Sequence, residues 1–547
     1  MTSSTSDLRP AAAWAILLVA SLGVFLGGAE LMVVAIALPS IVPDFGGWAD
    51  LGRASWIVNA YLLAYVVSMP LAGRAADLWG ARRLYTAALL LFAAGSLGAG
   101  LSRFAGPQSD LDWLIVARIV QGFGGGALVP LSMALASHLF RGRARAAALG
   151  VEGAATFVGM AVGPTYGAWV LLNVSLPIPG IELRAWQWIF FLNVPVALVT
   201  LLLVYVVAGG LETPRASGRI DLAGALVGSI GLVAGIGGLT VAGQSGWTAP
   251  VTLGALFVAI AALVVFVGLQ LRGRWPLVDP RLFANRRFGA SNAVSLLTGY
   301  TLATAIIGGP VFVDRVLNPG VGTEANVAAA ALTALTLAIA IGAVAGGVVS
   351  ATLGGRITAV AGVALTGVGL GLALGWGTAT ELPRLQRDLA VYGIGFGLTV
   401  SPRATAAVEV AGAGAYGVAS AMLQVTRTIG MSIGLALLTG IGQSRIDQLT
   451  ALVNDPVRRD ALVTSLGRPE FVGVDPNNSL RLVDLLETWS RGEAAAVLRL
   501  VFAIALGVAA VSLVPALLIG GRGERPAEPE PAERRQTTGS AITTSSP

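Results

Sequence analysis

Gly73-Arg-Ala-Ala-Asp77-Leu-Trp-Gly80-Ala-Arg82-Arg83 is a short charged turn between two long apolar runs, and its reading decides the fold. The spacing returns, without the acid, as Gly347, Ala351, Gly354 and Arg356, again between apolar runs. Such a turn recurring in the second half of a chain implies a membrane protein built from two related halves. That organisation is found in transporters far more often than in enzymes or receptors.

Composition supports this. Of 547 residues, 55% are hydrophobic and only 12% charged, against about 25% charged in soluble domains. The charges cluster, leaving many stretches of roughly 20 apolar residues, long enough to cross a bilayer as helices. All 35 basic residues are arginine. Without lysine there can be no P-loop to reach a nucleotide's phosphates, and no Schiff base to retinal or pyridoxal phosphate. Without cysteine, disulfides, thiolate metal sites and thiol catalysis are excluded. One histidine, His138, is too little for an imidazole metal cluster, so no catalytic residue, metal or cofactor is expected. The isoelectric point near 10.1 reflects arginines in short loops at span ends, a topology signal rather than a nucleic-acid one.

Fourteen candidate spans fall near 13–42, 55–75, 84–103, 112–138, 146–172, 188–209, 221–242, 249–271, 288–313, 325–350, 357–377, 388–407, 415–443 and 495–520. The first is too long for a cleaved signal peptide. One set of alternate loops is rich in arginine (near 74–83, 141–145, 215–219, 272–287 and 356), while the opposite short loops hold only Arg53, Arg103, Arg184, Arg315, Arg384 and Arg387. The positive-inside rule then makes both termini cytoplasmic. The expected organisation is all-α: a cytoplasmic N-terminus (1–12), a six-helix bundle (13–209), and a linker with two extra membrane helices (210–287). A second six-helix bundle (288–521) follows, with an extracytoplasmic extension (444–494), and then a tail (522–547). The tail is rich in Pro, Glu, Ser and Thr, a composition that does not fold alone. In 444–494 the patterns Ile446, Leu449, Leu452, Val453 and Leu480, Leu482, Leu485, Leu486 are amphipathic, so the flanking helices should continue beyond the bilayer.

Ionisable residues inside spans mark function or pairing, because a charge at mid-bilayer costs about 2.5–3.5 kcal/mol on insertion scales. Glu30 lies well inside the first span, where a carboxyl must be protonated, paired or facing a cavity; such an acid suits a proton carrier. Arg118 lies about 8 Å inside the outer end of the fourth span, with Gln121 one turn on. Glu152, two turns into the fifth, is placed either to act on protons or to pair with arginines of the 141–145 turn. Arg427 is near the centre of the thirteenth span, in a polar patch with Gln424, Thr426 and Thr428, where it would hold a cavity acid, contact substrate or form a structural bridge. Asp77, at a helix C-terminus where the macrodipole disfavours an anion, should face another helix's N-terminus or an arginine; the plain alternative is a solvated turn acid. Gly159, Gly163 and Gly167 recur every four residues on one helix face, beside Pro164, at a place where two halves would slide or seal. His138 is most simply a cation or solvated residue at a helix end.

Four motifs in order resemble the major facilitator superfamily. Gly73-x3-Asp77-x2-Gly80-x-Arg82-Arg83 is similar to its loop between helices 2 and 3. Leu114-Ile-Val-Ala-Arg118-Ile-Val-Gln121-Gly122 resembles its helix 4 motif. Gly159-x3-Gly163-Pro164-x2-Gly167 resembles the helix 5 motif of antiporters, with Ala168 in place of the family's last glycine. Trp188-Ile-Phe-Phe-Leu-Asn193-Val-Pro195 resembles the start of helix 6 in the fourteen-helix drug:proton antiporter branch. The resemblance implies two six-helix bundles plus two linking helices, in a bacterial cytoplasmic membrane. It gives Asp77 and its loop a conformational latch, Arg118 a proton-coupling role, and arginine at 427 as common in that branch. The related exporters have Asp-x-Thr where this chain has Glu30 and Met32, so the acid is kept and the hydroxyl is not.

The reading that follows is a proton-coupled antiporter exporting hydrophobic or amphiphilic compounds, drug or lipid, by alternating access. Glu30 would take the proton, with Arg118 and Glu152 or Arg427 modulating it. Gly163-Pro164-Thr-Tyr166-Gly167, the run from Gly126, and the 444–494 region also resemble actinobacterial triacylglyceride and lipoglycan exporters, which work with a lipid-carrying lipoprotein. A membrane-embedded lipid-modifying enzyme would need a catalytic cluster that His138 lacks, and a passive channel would be indifferent to Glu30→Gln.

Overall fold

In hydrocarbon a backbone must satisfy its own hydrogen bonds, and the apolar runs do so as helices. The structure is a computed structural model that describes residues 3–4, 9–45, 51–104, 110–174, 183–317, 324–476 and 479–520. The expected unstructured tail at 522–547 lies outside the described residues, as does part of segment 1–12. The first bundle comprises α1 (Pro10–Ile41), α2 (Trp56–Trp79), α3 (Ala81–Gly100), α4 (Asp110–Leu139), α5 (Gly142–Asn173) and α6 (Ala185–Ala208). Two linking helices follow, α7 (Leu222–Ser245) and α8 (Pro250–Arg272). The second bundle holds α9 (Arg286–Phe312), α10 (Glu324–Leu353), α11 (Gly355–Ala373), α12 (Leu382–Leu398), α13 (Val400–Ala411), α14 (Tyr416–Asn454) and α16 (Leu480–Leu518), with a short α15 (Pro456–Ser465) before the last.

Thirteen of these helices are long and apolar enough to cross a membrane. The twelfth expected span, near 388–407, is divided at Thr399 into α12 and α13. Pro402 explains the break, because it has no N–H to offer the Leu398 carbonyl. The internal repeat is visible in the backbone: Gly80 and Gly354, at equivalent turns of the two halves, have φ of 95° and 96°, a region that only glycine enters easily.

The halves meet along two seams. At one, Gly73 of α2 and Gly417 of α14 approach so closely that a Cβ on either would meet the other's carbonyl oxygen. At the other, Gly150 of α5 lies on Ala343 and Gly347 of α10. The Gly347 turn thus serves packing. The glycine face of the helix 5 motif does something different from the expected sealing between halves. Gly159 and Gly163 abut the α1 backbone at Phe25 and Ala29, and Gly167 abuts Val33, all within the first bundle. The glycines of α5 that touch the other half, Gly150 and Gly153, lie nearer its start.

Helices α14 and α16 are each 39 residues long, or about 58 Å at 1.5 Å per residue, nearly twice a hydrocarbon core of about 30 Å. Their far ends are joined by an Arg445–Glu493 ion pair. A small cluster around Val463, Leu482 and Leu486 closes the extension, whereas Ile446 and Leu480, expected on its apolar face, are exposed.

Adding side-chain volume at a backbone contact forces a shift that costs typically about 1–3 kcal/mol. Gly163→Leu should therefore lower the thermal midpoint of the purified protein clearly. Gly371→Leu, with open space around its position, should leave the midpoint nearly unchanged.

Candidate functional site

Three groups of the singled-out residues come together, in three separate places. The first is inside the first bundle. Glu30 and Arg118 form a direct ion pair, both fully buried. Glu30 also accepts a bond from Asn193 Nδ2 at 2.7 Å. The same guanidinium bonds Gln121 and donates through Nε to the Ile57 carbonyl at 3.0 Å. It lies 4.1 Å from the Tyr61 ring centre. Gln121 Nε2 then donates to Ser96 Oγ at 2.7 Å. A buried charge pair is tolerated when its remaining donors and acceptors are met, and α3, α4 and α6 all contribute to meeting them. Asn193 and Ser96 were not singled out as site residues, although an Asn inside an apolar span is itself a signal.

The second group lies between the bundles. Glu152 of α5, Arg403 of α13, and Gln424 and Arg427 of α14 line one small cavity of about 20 Å³, room for about one water. Glu152 does not pair with the 141–145 turn as one reading expected. Its Oε1 accepts from Ser21 Oγ at 3.3 Å, and among the described residues it forms no ion pair. Arg145 is committed elsewhere, to the carbonyls of Ser137 and Phe140 and to the Tyr416 hydroxyl. Across the cavity, Arg403 donates to Thr298 Oγ1 at 2.7 Å and lies over the Phe396 ring. Arg427 sits 5.8 Å from the Phe157 ring centre, its Nε without a hydrogen-bond partner among the described residues. The Gln424 amide nitrogen reaches Met133 Sδ. Sequence reading passed over Arg403, although an arginine inside a span is the same signal that picked out Arg427.

The third group closes the arginine-rich end. Asp77, buried at the end of α2, accepts from the backbone N–H of Gly417 at 2.8 Å and of Val418 at 3.0 Å, at the start of α14. Gly80 shapes the turn that follows. Arg82 and Arg83 do not take part in this closure: Arg82 donates to the Ala208 and Gly209 carbonyls at the end of α6 in its own bundle, and Arg83 is exposed. His138 is not fully solvated. It is half-buried, with its ring 4.9 Å from that of Tyr416. Ser401 Oγ adds a bond to the Ala146 carbonyl at 2.6 Å across the other seam.

Residues 20–223 match the family described as the Major Facilitator Superfamily. A triacylglyceride transporter of Mycolicibacterium smegmatis is 31% identical over 540 residues, covering 94% of this chain and 88% of that protein. A triacylglyceride transporter of Mycobacterium tuberculosis is 31% identical over 533 residues, covering 94% and 96%. Among solved structures, the human organic anion transporter MFSD10 superposes with a TM-score of 0.55 at 16% identity, covering 91% of this chain and 100% of that one. The Escherichia coli fucose:proton symporter does so with 0.51 at 14%, covering 91% and 98%. With the two-bundle fold and near-full-length relatives in agreement, this chain belongs to the Major Facilitator Superfamily and is one of its membrane transporters.

Proposed function

We propose that this transporter is a proton-driven exporter of a neutral, hydrophobic lipid of the triacylglyceride class, with the proton carried by Glu152. The observation that carries the coupling is the placement of one carboxyl on the first bundle opposite two buried arginines on the second, around a single cavity. An ionised Glu152 is attracted to Arg403 and Arg427 and draws the facing walls together. A protonated one is not, so gain or loss of one proton changes which arrangement of the bundles is favoured. Glu30, the acid the sequence favoured as carrier, is already neutralised by Arg118 and does not line this cavity. It is proposed as the support that holds α1, α4 and α6 together while the bundles move relative to one another.

Two further things support lipid cargo. The relatives that match along nearly the whole chain are named triacylglyceride transporters. The cavity also carries two arginines against one acid, a balance that disfavours the organic cations a multidrug pump would take. The joined ends of α14 and α16 project well past the bilayer and offer a place for a lipid acceptor such as a lipoprotein. In the proposed orientation the arginine-rich end and both termini face the cytoplasm. The Asp77 contact then closes the cytoplasmic side.

In proteoliposomes with an imposed pH gradient, a fluorescent triacylglyceride should move and a cationic dye should not; movement of the dye alone would reverse the cargo assignment. Glu152→Gln should lose at least about tenfold of the gradient-driven rate, equivalent to 1.4 kcal/mol, while retaining lipid binding. An unchanged rate would remove Glu152 from the coupling. Arg118→Ala leaves Glu30 buried and unpaired, so stability should fall by about 3–5 kcal/mol. Adding Glu30→Gln to that variant should recover part of the loss, measured as a thermal midpoint. Asp77→Asn keeps one acceptor oxygen and loses the charge. It should shift the conformational balance by about 1–3 kcal/mol towards an open arginine-rich side. The chain has no cysteine, so a Ser420→Cys reporter in that background should label faster with an impermeant maleimide added from the cytoplasmic face.

A further inference from the structure

The two linking helices are attached unequally. Helix α7 packs on α14 and α2, whereas α8 packs chiefly on α7. Gly231 and Gly235 of α7 let α8 lie close, since a Cβ at either would already be in van der Waals contact with Ala262 or Ala259. Between this pair and the bundles a chamber of about 530 Å³ is left, walled by Leu71 of α2, Leu239 of α7, Leu263 and Phe266 of α8, and Met422 and Ile429 of α14. Its size is within the roughly 300–1,000 Å³ of ligand pockets. Its lining is almost wholly apolar. Apolar cavities stay dry, and this one lies where the nearest abundant solute is hydrocarbon.

A second pocket of about 380 Å³ sits at the arginine-rich end of the same two helices, lined by Arg219, Arg272 and Arg274. All three are exposed. The acid that shares this pocket, Asp221, is occupied: it caps α7 through the Gly224 N–H at 2.9 Å and accepts from Gln270 Nε2 at 2.8 Å. Among the described residues no acid forms an ion pair with these arginines. Phe266 in the chamber and Arg272 in the basic pocket are six residues apart on α8, about 9 Å along the axis. One amphiphile can therefore reach both.

We propose that the two pockets form one site for an anionic glycerophospholipid of the adjoining leaflet, its acyl chains in the chamber and its phosphate on Arg219, Arg272 and Arg274. Basic pockets between membrane helices on the positively charged side take anionic headgroups on these grounds. The chains would touch Leu71 of one bundle and Met422 and Ile429 of the other, beside the Gly73–Gly417 contact. An occupied site therefore favours the arrangement in which Asp77 is latched. The proposal does not depend on the cargo or on proton coupling.

The test is native mass spectrometry of the full chain extracted from bacterial membranes in mild detergent, with melting curves in added lipid. Wild type should retain one anionic phospholipid, and phosphatidylglycerol should raise the melting midpoint where phosphatidylcholine and trioleoylglycerol do not. The combined variant Arg219→Ala, Arg272→Ala and Arg274→Ala should lose at least tenfold of the bound lipid. Leu263→Trp, which narrows the chamber, should also lower the bound lipid with the arginines intact. Arg458→Ala, in the distant extension, should retain it. Equal retention of phosphatidylcholine, a triacylglyceride in place of the phospholipid, or undiminished anionic lipid in the triple variant would overturn the assignment.

Discussion

A carboxylate at the end of one helix, bonded to the first amides of another, joins the two halves of this molecule at their arginine-rich end. Asp77 stands where its own helix dipole is unfavourable and finds compensation at the start of α14, where free N–H groups and a positive partial charge coincide. The contact is short-range and possible only because Gly73 and Gly417 let the two backbones meet. In this closed arrangement the cavity between the bundles has little more than a water's volume.

The charged residues inside the membrane divide by how they are neutralised. Glu30 and Arg118 satisfy one another within a single bundle, together with Asn193, Gln121 and Ser96, and such a completed network holds helices in place. Glu152 and the arginines at 403 and 427 belong to different bundles and do not bond directly. Only the second arrangement would change if the bundles moved relative to one another, which is why the coupling is proposed there. Which acid is buried matters less than whether its counter-charge travels with it.

The linking helices add a further surface. Because α7 packs on α14 and α2 while α8 is held mainly through α7, a space that bridges the seam is left between the pair and the bundles. In the proposed lipid site, the two extra helices would tie an acyl-chain chamber to that seam.

Much was legible in the chain itself. Apolar run length and arginine placement gave the spans, because lipid leaves the backbone no alternative to helices and short loops carry the charge bias. The recurring glycine turn gave the two halves, since Gly80 and Gly354 must both enter a backbone region closed to other residues. Single polar residues in spans marked Glu30, Arg118, Glu152 and Arg427, because the energetic penalty that makes them rare is independent of the fold. What sequence alone left undecided was pairing. That Arg118 meets Glu30, that Arg145 turns to Tyr416 and leaves Glu152 free, and that the Gly159 face serves α1 follow from contacts between residues far apart in the chain. Helical periodicity fixes which residues share a face, but only the packed bundles decide which face meets which.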